Sequence, residues 1–357
     1  MKISYKVPLI ATTIILLAFT VFSFWQYGSI KAHLLSQSKQ NIDETARLLE
    51  DSVSAWLNER VDVMQGLTEI LAQDPEVSKD DVYRILNSDN FNDLVTFYYG
   101  ALDTDGQAIS PKWQPDGEWD ARTRPWYEVA KAHNTAMMTE PYPDSQDGRL
   151  LITVVSQIYQ NNQSVGAMAG DIELAEVAEA VNAVNFNGTG YAFLVNEDGF
   201  IVSAPDQTLY NQPMSQLYEG SVPSLMTGFQ EAMVDGKKVI TAFYPLDDFS
   251  AIEKDWYIGV VVDEASILAP ANQLGINAII TAIVAAILSS IIFYLFMLSA
   301  LIKPVHALTT QSNEISRGNF TEDVAGIERH DEIGELAQSI QRLQRSLKMA
   351  MERLSKK

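Results

Sequence analysis

The chain has 357 residues, no cysteine and a formal net charge of −21. This length allows two or three domains, and the lack of cysteine excludes disulfides and thiolate metal sites. The acidic balance argues against nucleic-acid binding, which needs a basic surface, and the four histidines are too scattered for a metal pair, so we expect no metal and no cofactor.

Two apolar runs, residues 7–30 and 277–302, are predicted to be transmembrane helices. Neither contains a charged residue, and at about 1.5 Å per residue each can cross a hydrocarbon core of about 30 Å. A cleaved signal peptide is the alternative for the first run. Its apolar part is too long for one, and no Ala-x-Ala site precedes Lys31, so we expect an uncleaved anchor.

The distribution of charge predicts the orientation in the membrane. Residues 1–6 and 303–357 hold 11 of the 25 Lys and Arg and 8 of the 46 Asp and Glu, whereas residues 31–264 hold 14 and 38. Basic flanks remain on the cytoplasmic side. Both termini are therefore predicted to be cytoplasmic, and the acidic, cysteine-free segment between the two spans is expected in the periplasm of a bacterium, outside its inner membrane.

The outer segment is predicted to begin with a long amphipathic helix over residues 31–75. Its apolar residues recur at helical spacing, and Asp74-Pro75 ends the pattern because a residue before proline disfavours the helical conformation. The apolar positions are Ile42, Ala46, Leu49, Val53, Trp56, Leu57, Val61, Met64, Leu67 and Leu71. A shorter helix is expected to run from Asp80 to about Leu86.

The rest of the outer segment contains two patterns that each occur twice, in the same order. Residues 94–111 and 190–205 both have the plan strand, Asp-Gly turn, strand. Residues 165–180 and 255–268 both have a strand that ends in aspartate and runs into a helix. The repeated order predicts two α/β modules in tandem, each a mainly antiparallel sheet flanked by helices.

We assign the membrane-distal module to residues 76–183 and the membrane-proximal module to residues 184–270. The predicted fold class is therefore α+β, between two membrane helices.

One stretch of the distal module combines residues suited to an anion. Arg124 offers a planar fork that matches a carboxylate with two parallel hydrogen bonds. Trp126 adds an indole N–H, and Tyr127 adds a phenol. Alternatives remain for each residue: Arg124 can pair with Asp120 or Glu128 at the surface, and the two aromatic residues can be core under a helix start.

Further on, the same module carries groups suited to a cation. Tyr142 and Asp144 lie in a proline-rich loop, and Asp171 ends an apolar strand. Carboxylates and aromatic faces bind an ammonium, so together with the arginine they suggest a zwitterion, an α-amino acid. The alternatives are turn chemistry for the first two residues and capping of a helix over 172–180 for Asp171. We interpret Arg122 as a surface or structural residue.

After the second span, two further helices are predicted. The first directly follows the membrane, is broken at its start by Pro304, and ends at Gly318. The second begins at Asp331 and carries a heptad seam: Ile333, Leu336, Ile340, Leu343, Leu347, Ala350 and Leu354. A seam of this kind cannot bury its apolar stripe alone, so we expect a homodimer. Residues 303–357 contain no phosphotransfer histidine box or cyclase motif, and we expect the output to lie in a further region or in a partner.

The layout of residues 31–270 resembles the double Cache sensor domains of bacterial chemoreceptors and sensor kinases, which implies two PAS-like modules on the long helix. Amino-acid-binding members carry the motif Tyr-x4-Arg-x-Trp-Tyr, then Tyr-x-Asp, then a later Asp. The resemblance implies that these ligand-binding positions are Trp119, Arg124, Trp126, Tyr127, Tyr142, Asp144 and Asp171, with the arginine and tryptophan on the ligand carboxylate and the later residues on its amino group. Trp119 departs from the motif's tyrosine, and since an indole cannot accept a hydrogen bond, ligand preference is expected to depend on it. Tyr99 is a further candidate for the pocket wall.

The tail resembles a HAMP linker over about 302–353, through Pro304 and the run Asp331-Glu332-Ile333-Gly334; a generic coiled coil is the alternative. Together the two resemblances imply a chemoreceptor sensor, not an enzyme. It would bind a small amino acid or an analogue such as taurine, and would signal through HAMP to a chemotaxis adaptor and kinase by a cytoplasmic region that this sequence does not contain. The alternatives are the sensor part of a histidine kinase or nucleotide cyclase, and a structural adhesion or scaffold module.

Overall fold

The computed structural model describes residues 3–88, 94–115, 117, 119–183, 186, 188–320 and 323–354. The chain divides into two compact units: His33–Ala269 forms one, and Met1–Ala32 together with Pro270–Lys357 forms the other. Each unit is described by itself. Residues 1 and 2 of the predicted N-terminal tail, and residues 184 and 185 at the predicted module boundary, lie outside the described residues.

Helix α1 spans Ile3–Leu71. Within the outer unit its apolar face is buried, because the predicted positions recur every three or four residues and pack into one core with both modules. Of the ten predicted positions, nine are buried and Trp56 is partly buried. The helix ends at Leu71, earlier than the predicted stop at Asp74-Pro75, and the residues between form hydrogen-bonded turns.

The distal module is a five-stranded antiparallel sheet. Its strands are β1 (Phe97–Leu102), β2 (Met137–Met138), β3 (Tyr142–Pro143), β4 (Leu150–Gln160) and β5 (Gln163–Glu173). Their order is β1-β5-β4-β2, with β3 also paired to β4. The helices around it are α2 (Lys79–Leu86), α3 (Pro125–Ala132) and α4 (Leu174–Val181).

The proximal module repeats this topology. Its strands are β6 (Gly190–Asn196), β7 (Ile201–Ser203), β8 (Gln230–Val234), β9 (Lys237–Pro245) and β10 (Trp256–Asp263), in the order β7-β6-β10-β9-β8. The two predicted tandem α/β modules are confirmed, with one difference. The second strand of the first predicted hairpin is reduced to a single bridge between Gly100 and Ile109.

The distal sheet has two different apolar faces because side chains alternate along a strand. Tyr98, Val154 and Met168 face the core shared with α1. Their neighbours in sequence, including Tyr99, Val155 and Ala169, form a second cluster with α3 on the opposite face. That opposite face is where the residues singled out from the sequence meet.

Helix α5 (Glu264–Met297) begins in the outer unit. In the other unit it leads through a π-helical turn (Leu298–Ile302) into α6 (Lys303–Ser316). Two helical stretches, Leu9–Leu71 and Glu264–Ser316, contain windows long and apolar enough to cross a membrane, which fits a two-pass inner-membrane protein. The predicted break at Pro304 is wrong: this proline is accommodated in the first turn of α6. It cannot donate to the carbonyl of Ala300, and that oxygen instead accepts a hydrogen bond from the guanidinium of Arg329, at 3.1 Å.

Helix α7 spans Glu332–Leu354 and packs on α6. The buried contacts come from Ile333, Ala337 and Ile340 against Leu308. Other members of the predicted heptad seam are exposed, including Leu336 at 47% and Leu343 at 53%. The seam is thus divided: one edge packs on α6, and the other edge is open to solvent in the single chain. The side chain of Leu354, its last predicted member, lies outside the described side chains.

Candidate ligand-binding cleft

A cleft of about 310 Å³ opens on the α3 face of the distal sheet. Its walls come from β1, β3, β4 and β5, from the start of α3 and from the loop before it. The lining residues are Tyr99, Trp113, Trp119, Arg124, Trp126, Tyr142, Asp144, Ser145, Leu151 and Asp171. Seven of the eight residues singled out from the sequence lie here, although they are spread over more than seventy positions of the chain.

Asp171 is the buried acidic group of the cleft. Only 6% of the residue is exposed, and its Oδ1 accepts hydrogen bonds from Tyr99 Oη at 2.9 Å and from Thr153 Oγ1 at 2.7 Å. Burial raises the pKa of the Asp171 carboxyl to about 7; the nearby charge of Asp144 raises it too, and the two hydrogen bonds and Arg124 oppose the rise. A cation bound beside this carboxyl group would favour its ionised form.

Strand register explains why these groups meet. Asp171 lies in the central strand β5, opposite Phe97 of β1 and Thr153 of β4. Directly opposed residues share a face, and a residue two positions along a strand returns to that face. Tyr99 and Thr153 are therefore both brought beside the Asp171 carboxyl.

The alternative role for Asp171 as a helix cap is wrong. The residue at the N-cap of α4 is Glu173, and its side chain makes no capping hydrogen bond. In the proximal module the corresponding aspartate does cap: Asp263 accepts from the backbone N–H of Ala265 and from Ser266 Oγ, both at 2.9 Å. The two halves of the sequence repeat thus use their aspartates differently.

Arg124 brings the basic group to the cleft. It precedes Pro125, which favours the extended conformation observed here (φ −99°, ψ 145°), and α3 begins directly after it. Among the described residues it forms no ion pair, and the expected alternative partner Asp120 is bound by Arg122 through two nitrogens at 2.9 and 2.7 Å. Arg122 is therefore structural, and it also donates to the carbonyl of Asp103.

Aromatic rings that contact one another form part of the cleft wall. Trp126 is 1% exposed and packs edge-on against Tyr99, with 5.1 Å between ring centroids. Trp119 packs against Trp113 at 5.3 Å, and Trp113 in turn packs against Tyr99 at 5.5 Å. Sequence reasoning missed Trp113; its only signal was a tryptophan six positions before Trp119, between the first hairpin and the arginine.

Tyr127 is the one predicted site residue that is not among those lining the cleft. Its ring packs edge-on against Trp126, with 5.1 Å between ring centroids, and its hydroxyl donates to Asp103. Lys131 also binds this aspartate, at 2.9 Å. Tyr127 is adjacent to Trp126 on a helix, and adjacent helical residues point in different directions, so only one of the two can face the cleft.

Tyr142 and Asp144 both line the cleft, and Asp144 also takes part in a turn. Tyr142 Oη is 2.6 Å from Thr153 Oγ1, and burial raises the pKa of this phenol above its ordinary range. Asp144 lines the cleft, and its Oδ1 also accepts from the backbone N–H of Gln146 at 3.2 Å. The turn that this bond stabilises fixes the carboxylate at the rim.

Cavity size does not identify the site, because larger cavities than the distal cleft lie elsewhere in the described part of the chain. The proximal module contains a larger cavity of about 620 Å³, and among the described residues no lysine or arginine lines it. The distal cleft, in contrast, pairs an arginine with carboxylates. We therefore assign the candidate site by its chemistry, as a cleft that can hold an anion at one end and a cation at the other.

Three carboxylates elsewhere, Glu50, Asp51 and Asp248, have oxygens within 4.8 Å of one another. Such a group can hold a cation, but two of the three are exposed and none lines the cleft. Exposed acidic groups need no ion, so they contribute nothing to the site.

Comparison with known proteins gives two family matches. A Cache domain (dCache_1) matches residues 27–271, and a HAMP domain matches residues 296–349. The methyl-accepting chemotaxis protein PctB of Pseudomonas aeruginosa is 30% identical over 348 residues, which is 96% of this chain and 54% of PctB. This chain spans about half the length of the curated relatives it matches.

Solved structures agree with the family matches. The ligand-binding domain of PctB in complex with L-Arg is 31% identical, with a TM-score of 0.59 over 64% of this chain and 95% of that domain. The ligand-binding domain of the Pseudomonas fluorescens chemoreceptor CtaA in complex with L-isoleucine is 28% identical, with a TM-score of 0.60 over 67% of this chain and 98% of that domain.

Proposed function

Because this chain belongs to the Cache domain family, we propose that it is the sensor region of a bacterial chemoreceptor and that its distal cleft binds a small α-amino acid or a close analogue. One observation carries the proposal: Arg124 and the buried Asp171 line the same cleft, and aromatic rings form part of its wall. An α-amino acid presents a carboxylate and an ammonium a few ångströms apart, which matches two opposite charges in one cleft.

In this proposal Arg124 and Trp126 hold the ligand carboxylate. Asp171, Asp144 and Tyr142 hold its ammonium, with Tyr99 and Thr153 fixing the orientation of Asp171. Trp119 lies in the wall where the family motif has tyrosine, and it sets which ligand side chains fit. Ligands of the related structures support the class, since the PctB domain is described with L-Arg and the CtaA domain with L-isoleucine.

We further propose the arrangement in the membrane. Both termini are cytoplasmic and the Cache modules are periplasmic, as the distribution of Lys and Arg indicates. Two copies associate through the exposed edge of α7, where Leu336, Leu343 and Leu347 have no apolar neighbour to cover them among the described residues of one chain. Ligand binding then biases HAMP between two packings, and the signal passes to a chemotaxis adaptor and kinase.

The test is isothermal titration calorimetry on the whole chain in lipid nanodiscs, with the twenty L-amino acids, simple amines, simple carboxylates and taurine as titrants. We expect binding by at least one amino acid. Neither the amine nor the carboxylate alone should bind comparably, because each would leave one charged group of the cleft unpaired.

Two variants identify the site. Arg124→Ala and Asp171→Ala should each abolish binding, while Arg122→Ala, which removes a neighbouring arginine that is bound to Asp120, should retain it. Amino-acid binding that survives both Arg124→Ala and Asp171→Ala would refute the assignment of the cleft, and absence of binding across the panel would refute the ligand class.

The alternative of a kinase or cyclase sensor uses the same cleft and differs only in the output. Curated relatives that match 94–96% of this chain are methyl-accepting chemotaxis proteins, which favours the chemoreceptor. Co-reconstitution with a chemotaxis adaptor and kinase, after fusion of the chain to the cytoplasmic signalling region of a chemoreceptor, would decide between them by ligand-dependent kinase activity.

A further inference from the structure

We infer that Glu140 is a positioning residue for the ammonium end of the cleft, acting from the contact between the two modules. It fastens the short segment 137–144 to the proximal module, and that same segment carries Tyr142 and Asp144 into the cleft. The inference rests on the proposed function of the cleft and adds a residue that does not touch the ligand.

Glu140 lies in the distal module, but its carboxylate is bound by the proximal module. Oε2 accepts from Asn196 Nδ2 at 2.7 Å, and Oε1 accepts from Trp256 Nε1 at 3.1 Å. Both carboxylate oxygens are thus used, one by each donor. Hydrogen bonds to an ionised acceptor are stronger than those between neutral groups.

The two donors form a rigid anchor. Asn196 is 4% exposed and Trp256 is 1% exposed, and they are directly opposed across β6 and β10. The Asn196 side chain is further fixed because its Oδ1 accepts from the backbone N–H of Phe200 at 2.9 Å. Glu140 is therefore bound to the paired ends of two inner strands of a packed sheet and not to a loop.

A second attachment lies two residues earlier in the same segment. The backbone N–H of Met138 donates to the carbonyl of Ala251 at 2.7 Å, and Met138 also forms a parallel bridge with Ile252. Met138 is fully buried in the core shared by both modules. Two attachments this close together fix both the position and the direction of the chain as it leaves β2.

Hydrogen bonds through Thr153 connect segment 137–144 to Asp171, the buried acidic group of the cleft. Thr139 exchanges two hydrogen bonds with Thr153, since its N–H donates to the Thr153 carbonyl at 3.0 Å and its Oγ1 accepts from the Thr153 N–H at 2.9 Å. Thr153 Oγ1 in turn contacts both Tyr142 and Asp171. Thr139 therefore connects Glu140 to the hydrogen-bond network of Asp171 through consecutive residues of the chain.

From these contacts we expect the positions of Tyr142 and Asp144, at the ammonium end of the cleft, to depend on the Glu140 contact with the proximal module. Arg124 and Trp126 are held by α3 and the loop before it, which have no part in the Glu140 contact. Loss of Glu140 should free Tyr142 and Asp144 and leave Arg124 in place.

The experiment uses the whole chain in lipid nanodiscs and five variants: Glu140→Ala, Glu140→Gln, Trp256→Phe, the double variant of Glu140→Ala with Trp256→Phe, and the control Glu197→Gln. Glu197 is exposed, follows Asn196 directly, and acts on the same neighbouring Lys254 as Glu140 does. The control therefore removes a nearby negative charge without touching the anchor.

Two quantities are measured in each variant. Hydrogen–deuterium exchange of peptides covering residues 137–146 and 122–128 reports on the two ends of the cleft without any ligand. Calorimetry with L-arginine, L-isoleucine and L-serine reports on binding.

In Glu140→Ala we expect faster exchange over 137–146, unchanged exchange over 122–128, and a dissociation constant raised about tenfold, within the usual range for coupled sites. Glu140→Gln keeps one acceptor oxygen and should give an intermediate effect. If Glu140→Ala does not fold, Glu140→Gln serves as the test variant in its place. Trp256→Phe added to Glu140→Ala should have little further effect on binding, because both changes break one contact.

A merely structural role would change global stability and would affect both peptides alike. Unchanged exchange over 137–146 in Glu140→Ala, or equal effects of Glu140→Gln and Glu197→Gln, would overturn the inference. If the native chain binds none of the three amino acids, the exchange data still decide on Glu140, and the failure belongs to the proposed function.

Discussion

If the distal cleft binds an amino acid as proposed, the protonation of Asp171 should make the affinity depend on pH, and the pKa of this carboxyl sets the sign and the size of the effect. Without ligand, burial raises the pKa of this carboxyl to about 7. An ammonium ligand needs the ionised form, so only the ionised fraction of the protein is competent to bind. That fraction is about 76% at pH 7.5 and about 3% at pH 5.5 for a pKa of about 7.

The apparent dissociation constant should therefore be about 25-fold larger at pH 5.5 than at pH 7.5, equivalent to about 1.9 kcal/mol. The titratable and charged groups that act on this carboxyl or respond to its charge are Tyr99, Tyr142, Asp144 and Arg124. Calorimetry at several pH values in two buffers of different ionisation enthalpy measures the affinity and the protons released. Close to one proton should leave for each ligand bound at pH 5.5.

The same pKa predicts how stability changes with pH in the ligand-free protein. The folded-state pKa is above the ordinary 3.8, so the folded state holds its proton over a range in which the unfolded chain has lost it. The free energy of unfolding should fall as pH rises from about 4 to about 7, by up to about 4 kcal/mol from this group. The change should be complete above pH 7.

Asp171→Asn is the control, because it keeps the side-chain shape and removes the titration. The variant should lose the fall in stability between pH 4 and pH 7 while every other titrating group remains. An affinity for the native chain that stays constant from pH 5.5 to 7.5 would refute the protonation of Asp171 as the cause.

Two further predictions concern glycine and aspartate positions. Gly334→Ala should destabilise the HAMP region by about 1–3 kcal/mol, because an added Cβ would lie 2.1 Å from the carbonyl oxygen of Arg329. Gly66 is also helical, and an added Cβ there would have nothing within 4 Å, so Gly66→Ala should stabilise the protein by about 0.5–1 kcal/mol. Thermal unfolding followed by circular dichroism compares the two variants. A change in stability of the same sign in both would contradict the steric argument. Asp263→Ala should lower the free energy of unfolding by about 1 kcal/mol, because a helix cap is lost. Ligand affinity should stay unchanged. Loss of binding in that variant would show that the cleft is not the only site.

The fold could be predicted well from the sequence because its signals are local or periodic. The amphipathic stripe of α1, the two Asp-Gly hairpins and the heptad positions of α7 depend only on spacing along the chain. The resemblance to Cache and HAMP domains, which rested on such patterns and on short motifs, is confirmed by the family matches. The predictions differed from the structure at the ends and interruptions of helices, as at Leu71 and Pro304. At such positions, neighbouring residues in space decide whether a helix continues.

The sequence by itself determined the chemical composition of the site: one arginine, two later aspartates and several aromatic residues in the distal module. Only the tertiary structure decided which of them meet. Strand register placed Asp171 beside Tyr99 and Thr153, helix phase turned Trp126 toward the cleft and Tyr127 away from it, and the fold brought in Trp113.

The two aspartates of the sequence repeat show why the sequence alone could not decide which residues meet in the cleft. Asp171 and Asp263 both end a strand that runs into a helix, and a pattern along the chain cannot tell them apart. Asp263 is near the backbone N–H of Ala265, and it caps the helix. Asp171 is buried between two neighbouring strands, where its charge is disfavoured until a cation arrives. Burial and the partners across the sheet depend on the tertiary structure. They distinguish the aspartate that caps a helix from the aspartate of the candidate binding site.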